Sequence, residues 1–217
     1  MFHPTAEQAP GVKTGFKEQT ALYRESLPDH VRVLFDRYRL CDLAVKVVGI
    51  GSVGTVCAVG LLVAADDDPL FLQIKEARAS VLEPYAGKSV YKNHGQRVVI
   101  GQRIMQSASD IFLGWTQASN GRHHYVRQLR DVKLSAMIED WDVNLLRQYG
   151  ELCGWALAKA HARSGDPAMI AGYMGSSGAI DDAICEFAVE YADQNLRDYK
   201  AFVKAVREGR LHAIVET

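Results

Sequence analysis

From Val47 to Lys75 the chain runs through an apolar segment, three spaced glycines, two further apolar segments and a lysine, and few architectures accept that order. The stretch Val47-Val48-Gly49-Ile50-Gly51-Ser52-Val53-Gly54-Thr55-Val56 follows the spacing G-x-G-x-x-G-x-V. Glycines at that spacing let backbone N–H groups approach an anion that a Cβ would hold away. The same spacing also opens dinucleotide folds, but there a helix must follow the third glycine so that its N-terminus receives the pyrophosphate. Here Thr55 to Val63 is rich in β-branched residues and is followed by Asp66-Asp67-Asp68-Pro69, which reads as a strand and a turn. A third apolar run, Leu70 to Ile74, then delivers Lys75. A plain tight hairpin would use the same glycines, and a lysine beside Glu76 would serve as a solvated surface pair. The position of Lys75 at the end of an apolar strand, just after the glycine turn, instead directs its ammonium toward phosphate oxygens in a cleft.

Strand, glycine loop, strand, turn and strand with lysine is the order of kinase-like folds. The expected fold class is therefore α+β: a kinase-like, antiparallel five-stranded sheet with a helix, followed by an α-helical region. An arm and helix should occupy residues 1–40, the glycine-loop sheet lobe 41–132 and a helical lobe 133–217. The first helical pattern runs from about Lys13 to Tyr38 with a break at Pro28, and Leu22, Leu27, Val31, Leu34, Phe35 and Tyr38 are its core candidates. Strands are expected at about 43–49, 55–64 and 70–76. Val90 to Ser107 reads as a helix with no acid in it, so a carboxylate partner for Lys75 must be Glu76 or Glu83. Ile111 to Thr116 and His124 to Leu129 form a second hairpin across Ser119-Asn120-Gly121-Arg122. Backbone groups of Arg127, Gln128, Leu129 and Arg130 are then candidates for a hinge that grips an adenine edge, unless this segment is only a connector. From Val143 the pattern turns helical, with Leu145, Tyr149, Leu152, Ala156 and Ala160 along one stripe. Gly165 should end this helix and Asp166-Pro167 start the next, with helices at about 167–174, 179–193 and 195–207.

Composition narrows the function classes. A formal net charge of -1 provides no global field for nucleic acid or an anionic membrane. No apolar run approaches the ~20 residues of a membrane span, and the first residues lack the pattern of a signal peptide, so a cytoplasmic location is expected. Cys41, Cys57, Cys153 and Cys185 form no C-x-x-C pair and read as buried thiols. His123-His124 falls after a turn and is expected to be solvent-exposed rather than a zinc site; no protein metal site is read from the sequence.

Phosphoryl transfer also needs a carboxylate at the acceptor and Asp or Asn ligands for magnesium. No H-x-D…N loop and no D-F-G-like motif follows the hinge segment, and His161-Ala162-Arg163-Ser164-Gly165-Asp166 reads better as a helix end. No catalytic residue is assigned. The runs KVVGIGSVGT, PLFLQIKEARASVLEPY, YKNHGQRVVIGQRIMQSASDIFLGW, YVRQLRD, LCGWALAKAHARSGD and FAVEYADQN resemble the bacterial family called domain of unknown function 2252, over most of residues 20 to 210. That resemblance implies a permuted kinase-like fold whose full-length members are about twice this length. G-D-x-H-x-x-N and D-F-D segments would lie upstream of the glycine loop. This chain would correspond to the later portion, incomplete relative to the full family. Ile100 stands where a glutamate is expected in relatives. The resulting expectation is a nucleotide-binding portion in which Gly49, Gly51, Ser52, Gly54 and Lys75 hold ATP, with Mg, and catalysis requires a complementary chain carrying the missing motifs. The alternative is a non-catalytic remnant or protein-interaction module.

Overall fold

A computed structural model describes residues 19–45, 54–65, 68–129 and 137–211. The chain forms two compact units, Met1–Ser164 and Gly165–Thr217.

The first unit is built on five antiparallel strands, β1 (Arg39–Val45), β2 (Cys57–Val63), β3 (Pro69–Ala77), β4 (Gly114–Gln117) and β5 (His123–Gln128), in the order β1-β2-β3-β5-β4. The first three strands make the expected meander. Residues after Gly54 enter β2 without forming a helix, so the strand reading of that segment holds and the dinucleotide alternative does not. β1 lies at one edge, exposed over its first four residues, and its register against β2 shifts between Leu40 and Asp42. At the other edge, Trp115 N–H of β4 donates to Ser26 Oγ at 2.8 Å, and Asn93 Nδ2 reaches the Thr116 carbonyl at 3.4 Å.

Two helical segments precede the sheet, α1 over 19–26 and α2 (Asp29–Phe35), separated where Pro28 restricts its predecessor and restarts the helix. They supply Tyr23, Leu27, Val31 and Phe35 to a core completed by Leu62, Leu70, Leu72, Phe112 and Val126. Leu22 is 46% exposed, and Tyr23 takes the inward position expected of it. The Tyr23 hydroxyl donates to the Phe112 carbonyl at 2.5 Å, and burial holds its pKa well above the ordinary phenol range. A phenol can enter an apolar core because its polar tip finds this acceptor.

A short turn of helix, α3 (Glu83–Ala86), leads to α4 (His94–Met105), capped by the Asn93 side chain accepting the Gln96 N–H at 3.1 Å. α4 packs on β3, β4, β5 and the following long helix, α5 (Val143–Ser164). Gly95 permits the approach to the sheet, because a Cβ there would collide with the His124 backbone carbonyl. Arg163, in the last turn of α5, donates to the carbonyls of Ile104 and Met105 at 2.9 and 2.7 Å and to Ser107 Oγ at 3.1 Å. It thereby satisfies orphan carbonyls at the C-terminus of α4.

The second unit holds α6 (Pro167–Met174) and α7 (Ala179–Arg207). Asp166 caps α6 by accepting from Ala168 and Met169 N–H at 2.9 and 3.1 Å, as the Asp-Pro signal predicts. The expected break near residue 194 is absent, and α7 runs 29 residues without interruption. Asp193-Gln194-Asn195 lowers helix propensity but contains neither the Pro nor the Gly that would stop a helix. The cysteine expectation holds for Cys57, which is buried, and fails for Cys41 and Cys185, which are exposed; Cys153 is intermediate.

Candidate functional site

The described part of the glycine segment begins at Gly54; Gly49, Gly51 and Ser52 lie outside the described residues. Gly54 has φ +76°, a conformation that disfavours any side chain. Just beyond it the chain is fastened to β3 at two points. The Val56 N–H donates to Glu76 Oε2 at 3.0 Å, and the Glu76 N–H returns to the Val56 carbonyl at 2.9 Å. Arg78 reaches the Gly54 carbonyl through its terminal nitrogen and Glu76 Oε1 through Nε at 3.2 Å. Arg122 approaches the same carboxylate at 3.8 Å. The Val56 N–H, then Arg78 and Arg122, hold the Glu76 carboxyl below the ordinary carboxylate range against the opposing effect of burial.

This use of Glu76 removes it as a partner for Lys75. Adjacent strand residues face opposite sides of a sheet, and the register puts Glu76 with His124 and Thr116 on one face. Lys75 lies on the other, in a row across four strands: Cys57, Lys75, Tyr125 and Trp115. The next row on that face is Ala44, Val59, Gln73 and Arg127. Lys75 is half-buried, and no ion pair joins it to an acid among the described residues. Glu83, in α3, is also half-buried and forms no ion pair with it.

The expected hinge is engaged elsewhere. Gln128 N–H donates to Asp110 Oδ2 at 2.5 Å and Leu129 N–H to the Phe71 carbonyl at 2.8 Å, so neither donor is left for a base edge. Arg127 uses its side chain instead, donating from Nε to Gln73 Oε1 at 3.2 Å. Arg130 lies outside the described residues. Asp110 also accepts the Phe112 N–H at 2.9 Å and so fixes the entry to β4.

His123 and His124 are on β5 rather than in an exposed turn, and His124 is buried. The turn is tighter than expected, with Ala118 N–H bonded to the Arg122 carbonyl at 2.8 Å, so pairing starts at His123. His123 Nδ1 accepts the His94 N–H at 3.1 Å, and the two rings meet edge to face with centroids 5.0 Å apart. Burial lowers the pKa of both His123 and His124. No group of three or more His, Cys, Asp or Glu among the described residues has the placement to hold a metal ion. His161 is exposed, Arg163 caps α4 and Asp166 caps α6, which gives the His161–Asp166 run structural roles in two of its polar residues.

Fold and site together define a mixed α+β protein in which a five-stranded antiparallel sheet presents a half-buried lysine directly opposite the strand leaving a glycine turn. The sequence matches the family described as "Uncharacterized protein conserved in bacteria (DUF2252)" over residues 2–205, and the chain belongs to that family. No curated protein and no solved structure matches it. No helix among the described residues is long and apolar enough to cross a membrane.

Proposed function

We propose that the first unit is a kinase-like nucleotide-binding portion that grips the phosphates of ATP, with Mg, between the glycine segment and Lys75. The observation that carries this reading is the placement of Lys75. It stands directly opposite Cys57, three residues past Gly54, and its ammonium has no described acidic partner. A lysine ammonium on a sheet face, with no described acid paired to it, is placed to meet a negatively charged ligand. The clamp of Glu76 and Arg78 on Val56 and Gly54 supports the same reading, because it fixes the stem of the glycine segment against the lysine-bearing strand.

Catalysis is not assigned to this chain alone. The sequence holds neither the H-x-D…N loop nor a D-F-G-like motif, so phosphoryl transfer would use carboxylates supplied by a complementary chain. Titration of ATP and magnesium into the intact chain by calorimetry tests the binding step. Binding should weaken at least about tenfold in Lys75→Ala, through loss of a charge-assisted contact. Gly51→Asp should abolish it by placing a carboxylate where the phosphates lie. Absence of ATP binding, alone and with a candidate complementary chain, would sink the proposal.

The apolar exposure of α5 and α7 favours a second reading, a protein-interaction module without nucleotide chemistry. Trp155 and Leu152 on α5 and Phe187, Tyr191 and Phe202 on α7 are each more than half exposed. Partner binding that survives both Lys75→Ala and Gly51→Asp would select this reading.

A further inference from the structure

The face of the sheet that carries Lys75 carries a second cation. Arg127 is opposite Gln73 while Lys75 is opposite Tyr125, so Lys75 and Arg127 are diagonal neighbours on paired strands, with Cα atoms roughly 7–8 Å apart and long side chains within reach of one group. Like charges in that relation do not stabilise one another. No acid among the described residues forms an ion pair with either side chain. Glu76, next to Lys75 in the chain, is on the opposite face and already holds Arg78, Arg122 and the Val56 N–H. Among the described strand residues the register puts one acid on the Lys75 face, Asp42. It lies opposite Leu61 on the edge strand β1, two strands away from Lys75 and three from Arg127.

Arg127 is oriented. Its Nε donates to the carboxamide oxygen of Gln73, a residue only 4% exposed, so a neutral acceptor fixes the guanidinium and leaves its terminal nitrogens for another partner. Tyr125 lies two residues before Arg127 on β5, on the same face and opposite Lys75. Its phenol is protonated at neutral pH and available as a donor, and burial raises its pKa further. A sheet face that gathers an ammonium, a phenol and a guanidinium, with no described acid paired to either cation, is arranged to surround negative charge.

We propose that Arg127 and Tyr125 join Lys75 in contacting a single polyanionic group of the pyrophosphate class, with Gln73 as the positioning residue that aims the guanidinium. This rests on the phosphate-binding reading above and deepens it. Recognition lies in the phosphates, so ligands that share a diphosphate should bind alike whatever base they carry, and adenosine, which has none, should not compete.

Calorimetric titration of the intact chain with inorganic pyrophosphate, ATP and adenosine tests this. The expected result is that pyrophosphate binds the wild-type chain, adenosine does not displace it, and Lys75→Met and Arg127→Gln each weaken it about tenfold or more. Arg127→Lys, which keeps the charge but loses the fork that Gln73 aims, should fall between wild type and Arg127→Gln. Tyr125→Phe retains the ring and removes only the hydroxyl; it should weaken pyrophosphate about threefold, and it serves if Arg127→Gln melts early. Unchanged pyrophosphate affinity in Arg127→Gln or Tyr125→Phe, with loss in Lys75→Met, would overturn the two added contacts and leave the lysine site standing. ATP binding that adenosine competes for and pyrophosphate does not would also overturn the inference, by placing recognition in the base. If neither pyrophosphate nor ATP binds, the phosphate site itself is wrong and this inference falls with it.

Discussion

Glu76 shows how a single carboxylate can be moved from one role to another by strand parity. Its side chain is 7% exposed, and on the face away from Lys75 it accepts the Val56 N–H and the Arg78 guanidinium and pairs with Arg122 at 3.8 Å. A carboxylate with depressed pKa stabilises the fold fully above its unfolded value of about 4.3, and that contribution disappears as pH falls through the folded value. Glu76→Gln should therefore cost about 1–2 kcal/mol at pH 7, because charge-assisted hydrogen bonds become neutral ones. The deficit should shrink at a pH low enough to protonate the wild-type carboxylate, which its depressed pKa puts below the unfolded value. Urea unfolding at the two pH values measures both numbers, and an equal deficit at both would mean that the charge contributes nothing. The opposite facing of Lys75 and Glu76 was readable from the sequence once both were assigned to one strand. The engagement of Gln128 N–H by Asp110 was not, because it joins residues that only the folded hairpin brings together.

Among the elements, the docking of α4 gives the sharpest contrast between two glycines of one helix. Gly95 faces the His124 carbonyl so closely that a Cβ would stand 2.7 Å from its carbon, whereas a Cβ on Gly101 meets nothing within 4 Å. Alanine has the better helix propensity at both positions by about 1 kcal/mol. Gly101→Ala should accordingly stabilise the protein by about 0.4–1 kcal/mol. Gly95→Ala should destabilise it by about 1–3 kcal/mol, because backbone cannot yield as a flexible side chain does. Thermal melts of the two variants should move in opposite directions; a shared direction would show that propensity, not packing, governs α4. The strands were legible for related reasons of local chemistry. β-Branched runs bounded by Asp-Pro and Asn-Gly turns placed β2, β3 and β5 within two residues of where they lie. β1 came four residues earlier than expected, because alternation is weak across Arg39–Val45 and pairing with β2 fixes its span. In α5 the periodicity identified an apolar stripe, but Leu145, Tyr149 and Leu152 are exposed and only Ala160 is buried. A period tells which residues share a face and says nothing of what covers it.

For the molecule as a whole, the uneven burial of its helices sets its behaviour in solution. The core of Tyr23, Leu27, Val31, Phe35 and their strand partners lies within the first unit, while α7 buries one residue, Ala205, along its length. Phe187 and Tyr191 stack on each other with centroids 5.6 Å apart and are both more than half exposed. Apolar surface of this extent favours association. Light scattering on a sizing column should show a mass that rises with concentration over roughly the micromolar range, and Phe187→Ser with Tyr191→Ser should return it toward 24.0 kDa. A constant monomer mass in the wild type would contradict this. The sheet itself has closed off the alternative route. An open strand edge offers a row of unpaired N–H and C=O groups on which a second chain can lay its own strand, the first step toward fibrils. Here the register slip between Leu40 and Asp42 breaks the regular spacing that such a template requires, while Ser26 occupies the outward Trp115 N–H of β4 at the far edge. Copies that meet should therefore do so through side chains of helices, forming clusters that dissolve on dilution and never seed a fibre.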